Sequence, residues 1–215
     1  MSFTFGLLLY AIIACILTVF FKLPFWLFTL SVISISLART FYVLHVLYRS
    51  RNVDRIEHFL QSSLKNPLYH YTYSLKSGSV QVQLQAIDLV LAAYRSPLVQ
   101  GMYRSHKALL EHDYNTAKDF ASQIPTELMR NYHLALIEAS QGNDKSKNFL
   151  LQKPWMSSMI AATLHYKKGN MTEFELQKKE ALNQSRGIQY FSNFFYLERI
   201  DEKIKLPQKK QRKKF

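Results

Sequence analysis

The chain has 215 residues, with 28 Lys and Arg against 15 Asp and Glu and a single cysteine, Cys15. That length fits one modest domain and a small addition, and a lone cysteine excludes an intrachain disulfide framework or a thiolate metal cluster. The charge is unevenly spread: residues 1–48 hold no acid and only Lys22 and Arg39, so 49–215 carries a formal +11. An apolar head on a basic body is the pattern of a membrane-anchored protein.

The first run, "FTFGLLLYAIIACILTVFF" at 3–21, has nineteen positions without a charge. As a helix it is about 28 Å long, close to the hydrocarbon thickness of a bilayer. Pro24 removes a backbone donor and Lys22 supplies a charge that wants water, so a break belongs there. A second run, "FWLFTLSVISISLA", follows to Ala38, and Arg39 can snorkel to extend it. The expectation is a transmembrane helical hairpin over 1–48, with spans at about 3–21 and 23–44. The alternative is one span followed by an interfacial helix seated on Phe25, Trp26 and Phe28. "IIAC" at 12–15 has the form of a bacterial lipobox, but "MSFTF" lacks basic side chains and Cys15 is followed by "ILTVFF". A cleaved signal peptide fails on the same missing charge, so Cys15 reads as a small apolar helix residue.

Arg39, Arg49, Arg51 and Arg55 follow the second run, against Lys22 alone in the turn. The positive-inside rule then places the turn outside and both termini in the cytoplasm of a multi-pass membrane protein. Arg49, Arg51 and Arg55, in a juxtamembrane basic helix at 49–63, lie where anionic headgroups would attract them.

From Asn52 onward the pattern is helix after helix. Pro67, Pro97, Pro125 and Pro154 are 30, 28 and 29 residues apart. Between them fall Gly78, "HDYN" at 112–115 and Gly142, with Gly169 after the last. Each interval should therefore hold two helices of about 10–16 residues. "NP" at 66–67 and "SP" at 96–97 offer a cap followed by proline at the first helical position. Thr172 and Glu175 have capping-box spacing. Small residues at Ala92/Ala93, Ala117/Ala121, Ala135/Ala139 and Ala161/Ala162 would let paired helices approach closely. "SVQVQLQA" at 79–86 alternates like a strand, but Val80, Leu84, Ile87 and Leu91 form a helical stripe, so helix is expected. "GIQYFSNFFYLERI" at 187–200 carries two aromatic stripes and reads as a terminal helix packing on the last repeat, the alternative being a partly exposed contact surface for self-association.

A break-helix-break-helix unit at this period is the sign of a helical solenoid. In "LLEHDYNTAKDFASQIP", Tyr114, Ala117 and Pro125 follow an aromatic, alanine, proline pattern, and "ASQGND" and "HYKKGNMTEF" have the form of inter-helix turns. In these features the region resembles the tetratricopeptide-repeat superfamily in degenerate form, at a period shorter than the family's usual length of about 34. The resemblance implies an all-α chain in which antiparallel helix pairs at 64–202 form an α-solenoid. It also implies a groove, lined by first helices, that binds a peptide or partner helix. Tyr103, His106, Arg130, Tyr132, His133, Met159 and Tyr166 lie on those first helices and are the candidate partner-binding residues.

No catalytic or metal-binding motif emerges. There is no His-Glu-x-x-His, Gly101 stands alone without a phosphate loop, and no Ser-His-Asp set can be assembled. "EHD" at 111–113 reads as a polar helix end. Within "YHYTY" at 69–73, Tyr69 and Tyr73 share a face that packs with hydroxyls at its rim. No cofactor is expected and no enzyme activity. The tail at 203–215 is basic and expected to be disordered, with Lys209, Lys210, Arg212, Lys213 and Lys214 available to anionic lipid or another polyanion. The favoured function is a membrane-anchored adaptor holding a protein partner at the cytoplasmic face. The alternative is a membrane-tethered nucleic-acid or ribosome binder acting through the tail.

Overall fold

The structure, a computed structural model, describes Ile12 and residues 25–212, with the backbone alone from Asp201 onward. Apart from Ile12, the expected first span, Cys15 and the Lys22–Pro24 turn lie outside the described residues, as do Lys213 and Lys214. The chain divides into two compact units, 1–46 and 47–215. Ten α-helices and no strand occur among the described residues.

The first unit holds most of α1, Phe25–Tyr48. Thr29–Tyr48, at 20 residues, is long and apolar enough to cross a membrane, and it is the only such stretch among the described residues. It has no glycine or proline to interrupt it, and it ends four residues beyond the expected Leu44. Thr40 Oγ1 donates to Ser36 O at 2.9 Å, so its hydroxyl is satisfied within the helix. Trp26, Leu30 and Phe41 are all more than half exposed.

Among the described residues, six helices of the second unit start at a side-chain cap. Asn52 Oδ1 accepts from Arg55 N at 2.8 Å and opens α2, Val53–Ser62. Asn66 Oδ1 accepts from Leu68 N at 2.9 Å ahead of Pro67, which opens α3, Pro67–Ser74. A 3-10 turn, Leu75–Ser77, and Gly78 at φ 69° lead to α4, Val80–Ala93, capped by Ser79. The alternating stretch is thus helical, with Gln83, Ala86, Ile87 and Val90 on its buried face. Ser96 caps α5, Pro97–Leu110, and Asp113 caps α6, Tyr114–Ser122. Then follow α7, Glu127–Ser140, and α8, Pro154–Lys167. The last two are α9, Met171–Gln184, and α10, Gly187–Arg212.

Three local expectations differ from what is found. The cap of α9 is Asn170, accepting from Glu173 N at 3.3 Å, so Thr172 lies inside the helix and forms no capping box. The interval after Pro125 holds one α-helix and a 3-10 segment, Asp144–Asn148, instead of two helices. Eleven residues between Gly142 and Pro154 leave too little chain for a connector and a further 10-residue helix. The last helix continues through 203–212, across Pro207, where a disordered tail is expected.

Alanines set how closely the helices approach. Ala117 and Ala121 on α6 are fully buried against Ala108, Ile124 and Ile137. Ala135 and Ala139 on α7 meet Ile160 and Leu164 of α8. Ala162, Phe174 and Ala181 form the centre of the α8–α9 core with Met159 and Leu197. Ala92 and Ala93, expected to play the same part on α4, are exposed. At Gly101 an added Cβ would lie 3.0 Å from Ile124 Cγ1, so glycine is what lets α5 sit this close.

The helices do not simply succeed one another. α10 packs on α9 and also reaches α2, α3 and the Leu75–Ser77 turn. Gly187 N donates to Ser50 O at 2.7 Å, and Arg199 Nη2 donates to Leu75 O at 2.6 Å. Arg51 donates to Asn183 O, and Lys178 Nζ lies 2.8 Å from Glu198 Oε1. The terminal helix therefore ties the beginning of this unit to its end.

Candidate functional site

The return of α10 forms one wall of a half-open cavity of about 340 Å³. Helical periodicity decides which side chains reach it. On α5, Tyr103 and His106 are three apart and share a face; on α7, Met129, Tyr132, His133 and Leu136 recur every three or four residues. Trp155, Met159, Thr163 and Tyr166 do the same on α8. Tyr71 enters from α3, and α10 contributes Gln189, Asn193, Tyr196 and Arg199.

The rings meet edge to face. Tyr71 and Tyr103 have centroids 5.1 Å apart at 85°, and Tyr71 lies 5.9 Å from the His106 ring. Tyr132 lies 5.9 Å from His133 and 5.4 Å from Trp155. Edge-to-face pairs place a positive ring edge against a negative ring face, so these contacts fix the rings as well as pack them. On the α10 side the polar groups hold one another: Gln189 Nε2 donates to Asn193 Oδ1, and Asn193 Nδ2 to Ser185 Oγ, both at 2.7 Å. Thr163 Oγ1 and Tyr196 OH are 3.5 Å apart.

Burial governs ionisation here because a charged group would lose its hydration. It pushes the Tyr71 and Tyr132 phenols well above their ordinary value and Tyr103 to about 12. It holds His106 down at about 4, with the Arg199 guanidinium adding to the effect. His133 is held at about 3, by burial first and by His106 second. Both imidazoles are therefore neutral at physiological pH. No Asp or Glu lines the cavity, whereas Arg199 and Lys167 do.

Of the seven residues expected to line a groove, Tyr103, His106, Tyr132, His133, Met159 and Tyr166 face this one cavity. Arg130 does not: its Nη1 donates to Ile124 O at 3.0 Å, tying down the chain after α6. Tyr71, Trp155, Tyr196 and Arg199 are among the lining residues that reasoning from sequence missed. Tyr71 sits inside "YHYTY", whose other face packs as expected: Tyr69 meets Phe59 at 5.4 Å, and Tyr73 OH accepts from Gln61 Nε2 at 3.1 Å. Tyr196 and Arg199 share one face of α10, and no local signal announces that this face returns to α3. Arg49, Arg51 and Arg55 are exposed and stand apart from the cavity lining, while Lys209, Lys210 and Arg212 lie on the backbone of α10. No cluster of His, Cys, Asp or Glu suited to a metal occurs among the described residues. His112, at φ 62°, ends its turn beside the Asp113 cap, so "EHD" serves the α5–α6 connection.

Comparison with protein-family models, with curated proteins and with solved structures finds no match to this chain.

Proposed function

We propose that the protein is a membrane-anchored adaptor whose body, a tetratricopeptide-like solenoid of helix pairs, captures a protein partner at the cytoplasmic face. The observation that carries this reading is the convergence of aromatic faces from α5, α7 and α8 on one shared lining. In helical-repeat proteins such a lining is the surface most often given over to partners. The helix starts at Pro67, Pro97 and Pro154 support the repeat. The length and apolar exposure of α1 support the anchor. In this proposal 1–48 forms a helical hairpin, with Lys22 outside and Arg49, Arg51 and Arg55 at the inner surface.

Crosslinking in intact membranes followed by purification tests the adaptor reading. Full-length protein should recover a defined partner, and Tyr103→Ala combined with Tyr132→Ala should lose it while keeping helical content. Unchanged recovery by that double variant removes the reading. A C-terminal reporter active only in the cytoplasm should be active, and silence there would reverse the proposed topology.

A further inference from the structure

The end of α1 does not stand alone. Gly187 N donates to Ser50 O at 2.7 Å, and Arg51 donates to Asn183 O, 132 residues further along the chain. These two bonds seat the α9–α10 turn, at 183–187, on the backbone at 47–51. The seating is tight, since a Cβ on Gly187 would lie 1.8 Å from Leu47 O.

The turn brings charge with it. Arg186 precedes Gly187, so it stands beside the same backbone bond that Arg49 and Arg51 flank, within a few residue steps of about 3.8 Å each. Lys153 is at the same end of the α8–α9 pair, because Ser158 Oγ donates to Gln184 Oε1 at 3.2 Å and so sets the start of α8 beside the end of α9. All four cations belong to the second unit and are exposed. Among the described residues none of them is in an ion pair. The acids next to them in sequence are held elsewhere: Asp144 pairs with Lys147 and Lys168, Glu180 accepts from Gln184 Nε2, and Asp54 lies in the first turn of α2.

Depth decides what these cations meet. Tyr48 is the last residue of the apolar stretch and is 68 % exposed, which suits the interfacial level where tyrosines concentrate. With α1 as the anchor, the residues that follow lie among headgroups, and the α9–α10 turn bonded to them lies there too. A phosphodiester headgroup is met by guanidinium groups through paired, charge-assisted hydrogen bonds. Insertion alone does not account for Arg186, since the positive-inside rule counts charges within about 15–20 residues of a span's end. Folding is what delivers this residue to the exit of α1. We propose that Arg49, Arg51, Arg186 and Lys153 form one binding surface for anionic phospholipid headgroups, which holds the body to the membrane by the end where α8 starts and α9 finishes. The proposal rests on the membrane-anchor part of the reading above and is independent of whether the aromatic cavity captures a protein.

The test uses the full chain. Resistance of the membrane-bound protein to alkaline carbonate reports the anchor. Native mass spectrometry of the detergent-solubilised protein, titrated with phosphatidylglycerol or phosphatidylcholine, reports the headgroup preference. The unaltered chain should resist carbonate and bind phosphatidylglycerol more tightly. Arg186→Gln should weaken phosphatidylglycerol about fivefold, the effect of one basic group close to an anionic surface, and leave carbonate resistance unchanged. Lys153→Gln reads the same surface through a second residue and should weaken it about twofold or more. Lys145→Gln removes a charge at the far end of the α8–α9 pair, where Asp144 pairs with Lys168. With about 21 Å of α8 between the two ends, it should change the affinity by less than about 1.5-fold. Equal affinity for the two lipids, or equal losses from Arg186→Gln and Lys145→Gln, would overturn the proposal while carbonate resistance leaves the anchor standing. Release of the unaltered chain by carbonate would overturn the anchor and the proposal with it. If Arg186→Gln abolished binding of a single-stranded oligonucleotide but left phosphatidylglycerol affinity unchanged, the arginine would belong to a nucleic-acid site and the proposal would fall.

Discussion

The two longest helices among the described residues, α1 with 24 residues and α10 with 26, are both rich in aromatic and aliphatic side chains, and they use them in opposite ways. On α10, Phe191 and Leu197 are fully buried, Leu197 in the core shared with Met159 of α8 and Phe174 of α9. On α1, Phe41 is 68 % exposed and Trp26 61 %. The residue types are alike, so composition alone does not decide burial; the presence of complementary neighbours does. A helix with neighbours contributes a core, and a helix that exposes this much apolar surface calls for another apolar medium.

The contrast is broken most severely at the first residue of α10. Gly187 has φ 59°, and an added Cβ would lie 1.8 Å from Leu47 O. Gly187→Ala should therefore destabilise the body by about 4 kcal/mol or more, or prevent α10 from seating, read by denaturant unfolding. Gly169 has φ 75° with open space around it, so Gly169→Ala should cost only about 1–2 kcal/mol. Equal effects at the two sites would deny that the contact at Leu47 matters.

Core truncation comes next. Phe174→Ala should cost about 3–5 kcal/mol, whereas Phe41→Ala should change unfolding of the body by less than about 0.5 kcal/mol. The second variant should instead weaken retention in the membrane fraction. A large loss of body stability from Phe41→Ala would erase the distinction between the two helices.

Acid sharpens the comparison further, because the body holds two buried neutral histidines. His106 faces Tyr71 and Arg199, and His133 faces Tyr132 and His106. Their folded values, about 4 and about 3, lie below the ordinary 6.5, so between these limits the unfolded chain binds more protons. The stabilisation is complete above 6.5 and is lost as the pH falls toward the folded values. Unfolding midpoints should drop over that window, and His106→Gln with His133→Gln should flatten the profile. An unchanged acid limb in the double variant would place the proton uptake elsewhere. The smallest effect is at a cap: Asn66→Ala should cost about 1 kcal/mol by removing the bond to Leu68 N, measured in the same unfolding series.

Much of the helix order is legible because breakers and caps act locally. Pro67, Pro97 and Pro154 start helices through their own fixed φ, and Gly78, Gly142 and Gly169 take positive φ after helix ends. Six cavity residues could be named because they lie on helices expected to line a groove, which are α5, α7 and α8 here. Competing local caps explain the error at α9, where Asn170 and Thr172 both have suitable side chains and Asn170 accepts the bond. The closure by α10 is hidden for a different reason. Arg199 and Leu75 are 124 residues apart, and no pattern within either helix encodes their meeting. Tyr71 is hidden in a similar way, since its ring partners Tyr103 and His106 lie two helices further on, on α5.

That closure also has a consequence in time. A chain made from its N-terminus produces Ser50 and Leu75 early, and their partners Gly187 and Arg199 only near the end. The cavity therefore cannot be completed while the last helix is still being synthesised, and the faces of α2 and α3 that α10 covers stay open until then. Loss of even the final helix by premature termination would leave those faces permanently uncovered, so such fragments should aggregate or be degraded where the full chain persists.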